Sequence, residues 1–325
     1  MSAQDIAILA EVQRGSLAPI TYELLGGARK LAQSTGGRVI AFLLGDNVEN
    51  LGGLLGAADR VLVVQDSQLA SCSPEPHLAV LENLIRSEQP RAVLLGSTTV
   101  GLDLASLLAA RLNSPIVTAC RSVQAVEDRL SVVSQLYAGK MLADVELTGS
   151  PAILVVVSGS FREWKEGGAA QIEVRPSPVP LEAGPITFEE MILPEAGDVD
   201  ITQQGILVSV GRGIRQAENI ELAEELAQAL GGVVSASRPV VDQGWLPQTR
   251  QVGTSGMTVK PKCYLALGIS GAPEHVSGMQ DSELIIAINS DPNAPIFDIA
   301  DYGVVTDLLD LVPALTEALK NRTRG

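Results

Sequence analysis

Short apolar runs separated by amphipathic stretches fill the first half of the chain. Runs at residues 6–9, 39–44, 61–64, 92–95, 116–119, 131–136 and 153–157 read as strands. Several are unbroken Val, Ile, Leu and Ala, the pattern of strands buried on both faces of a parallel sheet. Between them, residues 20–33, 75–87 and 102–112 carry apolar side chains at helical spacing. Strand and helix in alternation predict an α/β domain. The rhythm then changes. Residues 116–119, 123–126, 130–137 and 143–147 read as consecutive strands, with turns at Glu127-Asp128 and Ala138-Gly139. That succession predicts an antiparallel extension of the same sheet.

From Gly159 to Gly205 the chain carries Gly167, Gly168, Pro176, Pro178, Pro180, Gly184, Pro185, Pro194 and Gly197. Glycine and proline at this density mark a linker or an edge-forming excursion. A boundary near Leu193 follows, with residues 1–192 as a scaffold and partner-interface domain and residues 193–325 as a ligand-binding domain. The second domain opens on an apolar strand at 205–210, then Gly211-Arg212-Gly213. A helix over 217–230 carries Leu222, Leu226, Ala229 and Leu230 on one stripe and stops at Gly231-Gly232, a C-terminal stop signal. Strands at 264–267 and 284–288 and a last helix from Asp307 to about Lys320 complete a second, doubly wound α/β pattern. Sheets of this kind bind ligands at the C-terminal ends of their strands.

Charge and composition narrow the partners. The formal net charge is -15, which disfavours nucleic-acid phosphates and anionic membranes. Aromatics are 3% of the chain, too few for base stacking. Cys72, Cys120 and Cys263 are isolated and His77 and His275 are the only histidines, so no metal site or disulfide framework is suggested. The longest apolar run, residues 152–157, is too short to cross a bilayer. No signal peptide is visible, and a cytoplasmic location is expected.

Candidate chemistry gathers at strand ends of the second domain. The segments are Gly211-Arg212-Gly213, Ser235-Ala236-Ser237-Arg238, Gln251-Val252-Gly253-Thr254-Ser255-Gly256, Gly268-Ile269-Ser270-Gly271-Ala272-Pro273-Glu274-His275, and Asn289 before Ser290-Asp291-Pro292. After the strand ending at Leu267, a small-residue turn leads to helix signals near Pro273, where free backbone N–H groups suit an anion. An ordinary glycine turn fits the same residues. Arg238 has no obvious acidic partner in sequence; beside a ligand ring that gains negative charge it would favour the charged form, and as a surface residue it would form a salt bridge. His275 reads either as a donor to a ligand carbonyl or as a core histidine. Ser255 reads as a donor to a ring nitrogen or as a turn serine. In the first domain, Gly96-Ser97-Thr98-Thr99-Val100-Gly101 is a strand-end turn that could take a phosphate, and Tyr137-Ala138-Gly139-Lys140 reads as a hairpin.

These segments, with Gly278-Met279, Ala287-Ile288-Asn289, Asp291-Pro292, Ala294-Pro295-Ile296-Phe297 and Ala300-Asp301-Tyr302-Gly303, resemble the alpha subunit of electron-transfer flavoproteins. The likeness is sharpest over residues 210–315 and looser in the first half. The resemblance implies a heterodimer with a beta subunit and one FAD in the C-terminal domain. It carries FAD contacts onto Arg212, Ser237, Arg238, Gln251, Val252, Gly253, Thr254, Ser255, Gly268, Ile269, Ser270, Gly271, Ala272, Pro273, Glu274, His275, Asn289, Asp307 and Leu308. Of these, Arg238, Ser255 and His275 are expected nearest the isoalloxazine. Two positions depart from the family pattern. Met257 stands where many members have Lys, and Glu274 where many have Gln; Glu274 is expected to face solvent.

The resemblance implies an electron carrier rather than an enzyme with its own substrate. Acyl-CoA dehydrogenases of fatty acid beta-oxidation are its expected donors and a membrane quinone oxidoreductase its expected acceptor. Three alternatives stand beside it: an alpha subunit of an NADH-oxidising bifurcating flavoprotein with a second FAD in the beta subunit, an NAD-using enzyme on a similar fold, and a partner-binding subunit that has lost its flavin.

Overall fold

The structure is a computed structural model that describes residues 4–70, 73–165, 168–181, 186, 188–189 and 199–322. The chain divides into two units, Met1–Glu190 and Met191–Gly325. The boundary expected near Leu193 lies outside the described residues, as do Cys72, Gly167, Gly184, Pro185, Pro194 and Gly197.

In chain order the first unit holds β1 (Ile6–Ala10), a small hairpin of β2 (Val12–Gln13) and β3 (Ser16–Leu17), α1 (Pro19–Thr35), β4 (Val39–Gly45), β5 (Arg60–Gln65), α2 (Pro74–Glu88), β6 (Ala92–Gly96), α3 (Thr99–Leu112), β7 (Ile116–Val126), β8 (Arg129–Leu136), β9 (Met141–Leu147), β10 (Ala152–Val156) and β11 (Gln171–Arg175). One sheet runs β11-β5-β4-β1-β6-β10-β7-β8-β9. Its pairs from β11 to β7 are parallel, and β7-β8 and β8-β9 are antiparallel. Every residue of β1, β4, β6 and β10 is buried, so their unbroken apolar runs are the cost of lying under helices on both faces. In β8, buried and half-buried positions alternate, as a strand covered on one face requires. The expected α/β domain with an antiparallel extension is therefore what forms.

Two local expectations change. Residues 116–119 and 123–126 belong to one strand, β7, which shifts register between Cys120 and Ser122 and places Ala119 at φ 52°. That irregularity interrupts the apolar pattern without ending the strand. The Gly- and Pro-rich stretch contains an edge strand, β11, paired to β5. It is pinned by charge: Arg60 meets Glu173 at 3.0 Å and Glu88 at 2.6 Å.

The second unit holds β12 (Ile206–Val210), α4 (Ile220–Leu230), β13 (Val233–Ala236), α5 (Arg238–Asp242), β14 (Cys263–Leu267), α6 (Pro273–Val276), β15 (Ile285–Asn289), β16 (Tyr302–Val305) and α7 (Leu308–Arg322). Its sheet, β13-β12-β14-β15-β16, is wholly parallel, which bears out the doubly wound expectation. β13 and β16 were not among the expected strands. Each has four residues, and all four of β16 are exposed, so neither leaves an apolar pattern long enough to read. Side chains alternate across the sheet. Val208, Val210, Leu265 and Leu267 pack with Leu226, Ala227, Leu308 and Val312 of α4 and α7. Leu207, Tyr264 and Ala266 face the opposite layer with Val252, Ile269, Met279 and Ile296. The strand order reverses between β12 and β14, the place where an open sheet of this type leaves a crevice. No helix among the described residues is long and apolar enough to cross a membrane.

Candidate functional site

A cavity of about 840 Å³ opens at the C-terminal ends of the second unit's strands, within the size range of small-molecule and cofactor sites. Its floor is backbone packed on backbone. Gly211 N donates to Leu267 O at 2.8 Å and Gly213 N donates to Gly268 O at 3.1 Å. Gly268 sits at φ +62°, and a Cβ there would fall 2.7 Å from Gly213 Cα. Only glycine supplies both the left-handed conformation and the close approach.

The segment after β13 forms one wall. Val252 N donates to Ala236 O at 2.9 Å, which joins the loop to the sheet. Gln251, 2% exposed, sends Nε2 to Ser255 Oγ at 2.9 Å. Ser255 therefore accepts from behind and keeps its own O–H to donate. Thr254 fastens this loop to α6: its N and Oγ1 donate to Glu274 O at 2.8 and 3.2 Å, and Oγ1 lies 2.8 Å from Ser277 Oγ. Opposite, Asn289 Nδ2 donates to Ile269 O at 2.9 Å while its Oδ1 accepts from Asp291 N at 3.0 Å, so the side chain fixes two turns of the rim.

Of the residues expected at the site, Arg212, Ser237, Arg238, Val252, Gly253, Thr254, Ser255, Gly268, Ile269, Ser270, Ala272, Glu274, His275 and Asn289 line the cavity. Gln251, Gly271, Pro273, Asp307 and Leu308 stand off its wall. Gln251 holds Ser255. Leu308 is buried in the core layer. Asp307 caps α7 by accepting from Leu309 N at 3.0 Å and pairs with Arg215 at 2.5 Å, and these two contacts hold its carboxyl below the usual range. The wall also includes Gly213, Pro239, Asp291, Ala294 and Pro295. All but Pro239 fall within the segments that carried the family resemblance, so the sequence signal was there without a site assignment.

The electrostatics are mixed. Arg238 is not partnerless: its Nε lies 3.4 Å from Asp242 Oδ2. That pair is four residues apart on α5 and largely exposed, and such pairs are weak, so the guanidinium stays available. Glu274 is exposed, as expected, although it also borders the cavity. The helix expected at Pro273 is a single turn, Pro273–Val276. It contributes individual N–H groups rather than the summed dipole of a long helix.

His275 is 6% exposed. Nε2 lies 2.9 Å from the Tyr264 hydroxyl, and Nδ1 is buried with no hydrogen-bond partner. The Val252 carbonyl is near enough to favour the charged ring slightly, but burial dominates and pushes the imidazole down to about 4. His275 is neutral at any ordinary working pH.

A cavity of this size, floored by glycine turns at a strand-order reversal, is where a doubly wound domain takes a nucleotide-type ligand. Comparison with known proteins makes the class specific. The model of the electron transfer flavoprotein domain matches residues 6–181, and that of the electron transfer flavoprotein FAD-binding domain matches residues 200–280. The electron transfer flavoprotein subunit alpha of Thermoanaerobacterium thermosaccharolyticum is 37% identical over 98% of this chain and 98% of its own length. The acryloyl-CoA reductase electron transfer subunit beta of Anaerotignum propionicum is also 37% identical, covering 98% of this chain and 96% of its own. The LctC subunit of the NAD(+),ferredoxin lactate dehydrogenase of Acetobacterium woodii is 35% identical, covering 96% and 76%. The chain belongs to the electron transfer flavoprotein family, as an alpha subunit. A flavin is the cofactor this family supports.

Proposed function

We propose that the chain carries one FAD in the cavity of its second unit and relays electrons between flavoprotein partners as the alpha half of a heterodimer. The observation that carries this reading is the cavity's position: it opens at the strand-order reversal of the unit that matches the family's FAD-binding domain. The residues present suit the group. The glycine floor admits a pyrophosphate close to backbone, Arg212 and Arg238 supply positive charge, and Ser255 and His275 supply neutral donors. FAD would supply the electron-carrying chemistry. The protein's part is to bind and orient the ring, keep a neutral imidazole beside it, and place positive charge where negative charge grows on reduction. The expected donors are acyl-CoA dehydrogenases, the expected acceptor is a quinone oxidoreductase, and the expected location is the cytoplasm.

The test is co-expression with the beta partner. A yellow complex that releases one FAD per alpha chain on denaturation supports the proposal. A colourless complex that binds NAD instead overturns it. One observation favours a second reading: a relative at 35% identity is named as a subunit of an NAD(+),ferredoxin enzyme. Flavin content separates the two. One FAD per heterodimer fits the simple carrier, and two FAD with NADH oxidation fit the bifurcating complex.

A further inference from the structure

Among the residues of the cavity wall, His275 has a buried side-chain nitrogen with no partner, Nδ1. Its other ring nitrogen meets Tyr264 of β14, a phenol with no solvent exposure, at 2.9 Å. Either atom could hold the shared proton on geometry alone. Acidity decides it. A phenol is a far stronger acid than a neutral imidazole N–H, and an imidazole nitrogen is a far stronger base than a phenol oxygen. The favoured arrangement has Tyr264 donating to Nε2.

The surroundings reinforce that direction. Ser209 of β12 and Ser235 of β13 are register partners. By strand alternation they share the sheet face of Tyr264, and both hydroxyls lie close to the phenol. Neither makes a well-formed hydrogen bond to any other group. A hydroxyl turned toward the phenol oxygen polarises it and strengthens it as a donor. Burial has already made the imidazole neutral, and a neutral imidazole carries one proton. With Nε2 accepting, that proton sits on Nδ1. The Val252 carbonyl lies near the ring but makes no well-formed hydrogen bond to Nδ1; a poorly satisfied buried N–H is costly, and a well-placed acceptor on a ligand in the cavity would remove the cost.

We propose that Tyr264 is a positioning residue: it fixes the His275 tautomer by donating to Nε2, so that Nδ1–H is held for an acceptor on the ring system that fills the cavity. The ligand half of this statement rests on the FAD reading; the tautomer half does not.

The experiment uses the full chain co-expressed with its beta partner and labelled with 15N-histidine. The signals lost in His275→Gln assign His275 against His77 and the partner's histidines. The expected result is a protonated Nδ1 and an unprotonated Nε2 for His275, with Nδ1 shifting when FAD is added. Tyr264→Phe keeps the ring in the core and removes only the hydroxyl. It should move both His275 nitrogens toward values averaged between the two tautomers and weaken FAD retention by about fivefold. A wild-type protein with the proton on Nε2 overturns the proposal, even if the variant fails to fold. So does a folded Tyr264→Phe protein with unchanged nitrogen shifts. A protein protonated on Nδ1 that takes up no FAD supports the tautomer assignment and overturns the FAD reading instead.

Discussion

The two units carry the same kind of crevice, and in the first of them a side chain of the chain itself lies at the strand ends. In the first, the strand order reverses between β1 and β6. Glu11 follows β1 directly, and its Oε1 accepts from Thr98 Oγ1 at 2.9 Å beside Gly96. Thr98 in turn caps α3 by accepting from Gly101 N at 3.0 Å. The turn that the sequence offers to a phosphate therefore holds the chain's own carboxyl, 3% exposed and raised above its ordinary range by burial. In the second unit, the turn after the corresponding strand, β14, runs from Gly268 to Ala272, and a cavity of about 840 Å³ stands over it. One architecture gives a filled crevice or an open one according to a few side chains at strand ends. This is why fold alone does not assign function.

The largest test of that contrast is at the glycine floor. Gly268→Ala adds a Cβ against Gly213 in a left-handed conformation. Overpacking and backbone strain together cost about 3 kcal/mol, so FAD retention should fall about a hundredfold or more, read from flavin absorbance of the purified heterodimer. Gly96→Ala in the first unit would press on Glu11 and Ile20. It should lower stability by about 1–2 kcal/mol and leave the flavin content unchanged.

Acid should weaken the second unit through His275. The folded imidazole has a pKa of about 4 against an ordinary 6.5. Its contribution is present above pH 6.5 and is lost as pH falls toward 4, because the unfolded chain takes up a proton that the folded ring refuses. The loss amounts to about 3 kcal/mol at most. Urea melts of wild type and His275→Gln between pH 7 and 4.5 should converge as pH falls; parallel curves would contradict this.

Glu11 carries the opposite sign. Its raised pKa means that burying the charged form costs stability as pH rises. Glu11→Gln should therefore be more stable than wild type at pH 8 in urea melts, an advantage that fades in acid. The smallest effect is expected at Arg238, whose side chain is 67% exposed. Arg238→Ala should lower the flavin's reduction potential by no more than tens of millivolts. An unchanged potential removes Arg238 from the tuning role.

Much of the fold was legible because burial leaves a pattern. β1, β4, β6 and β10 show it as unbroken apolar runs, and α4 as a stripe closed by Gly231. Short exposed strands leave none: β16 has no buried residue, so only its pairing with β15 makes it a strand. At the site, the loops at Gly211, Gln251 and Gly268 were visible as glycine-rich strand ends. The roles within them were not. Gln251 also stands behind Ser255, and Asp307 also caps α7. Residue type and spacing report that a polar group lies at a strand end, but not which way it points.

By itself, the sequence determined two α/β units, the segments that gather at the second unit's strand ends, and the family to which they belong. Hydrophobic periodicity and local turn chemistry carry that information because each acts within a few residues. Tertiary structure alone decided that Glu11 fills one crevice, that Gly211 and Gly268 leave the other open, and that Tyr264 stands behind His275. Those outcomes depend on which strands become neighbours, and on distances between residues that lie 11 to 87 positions apart in the chain.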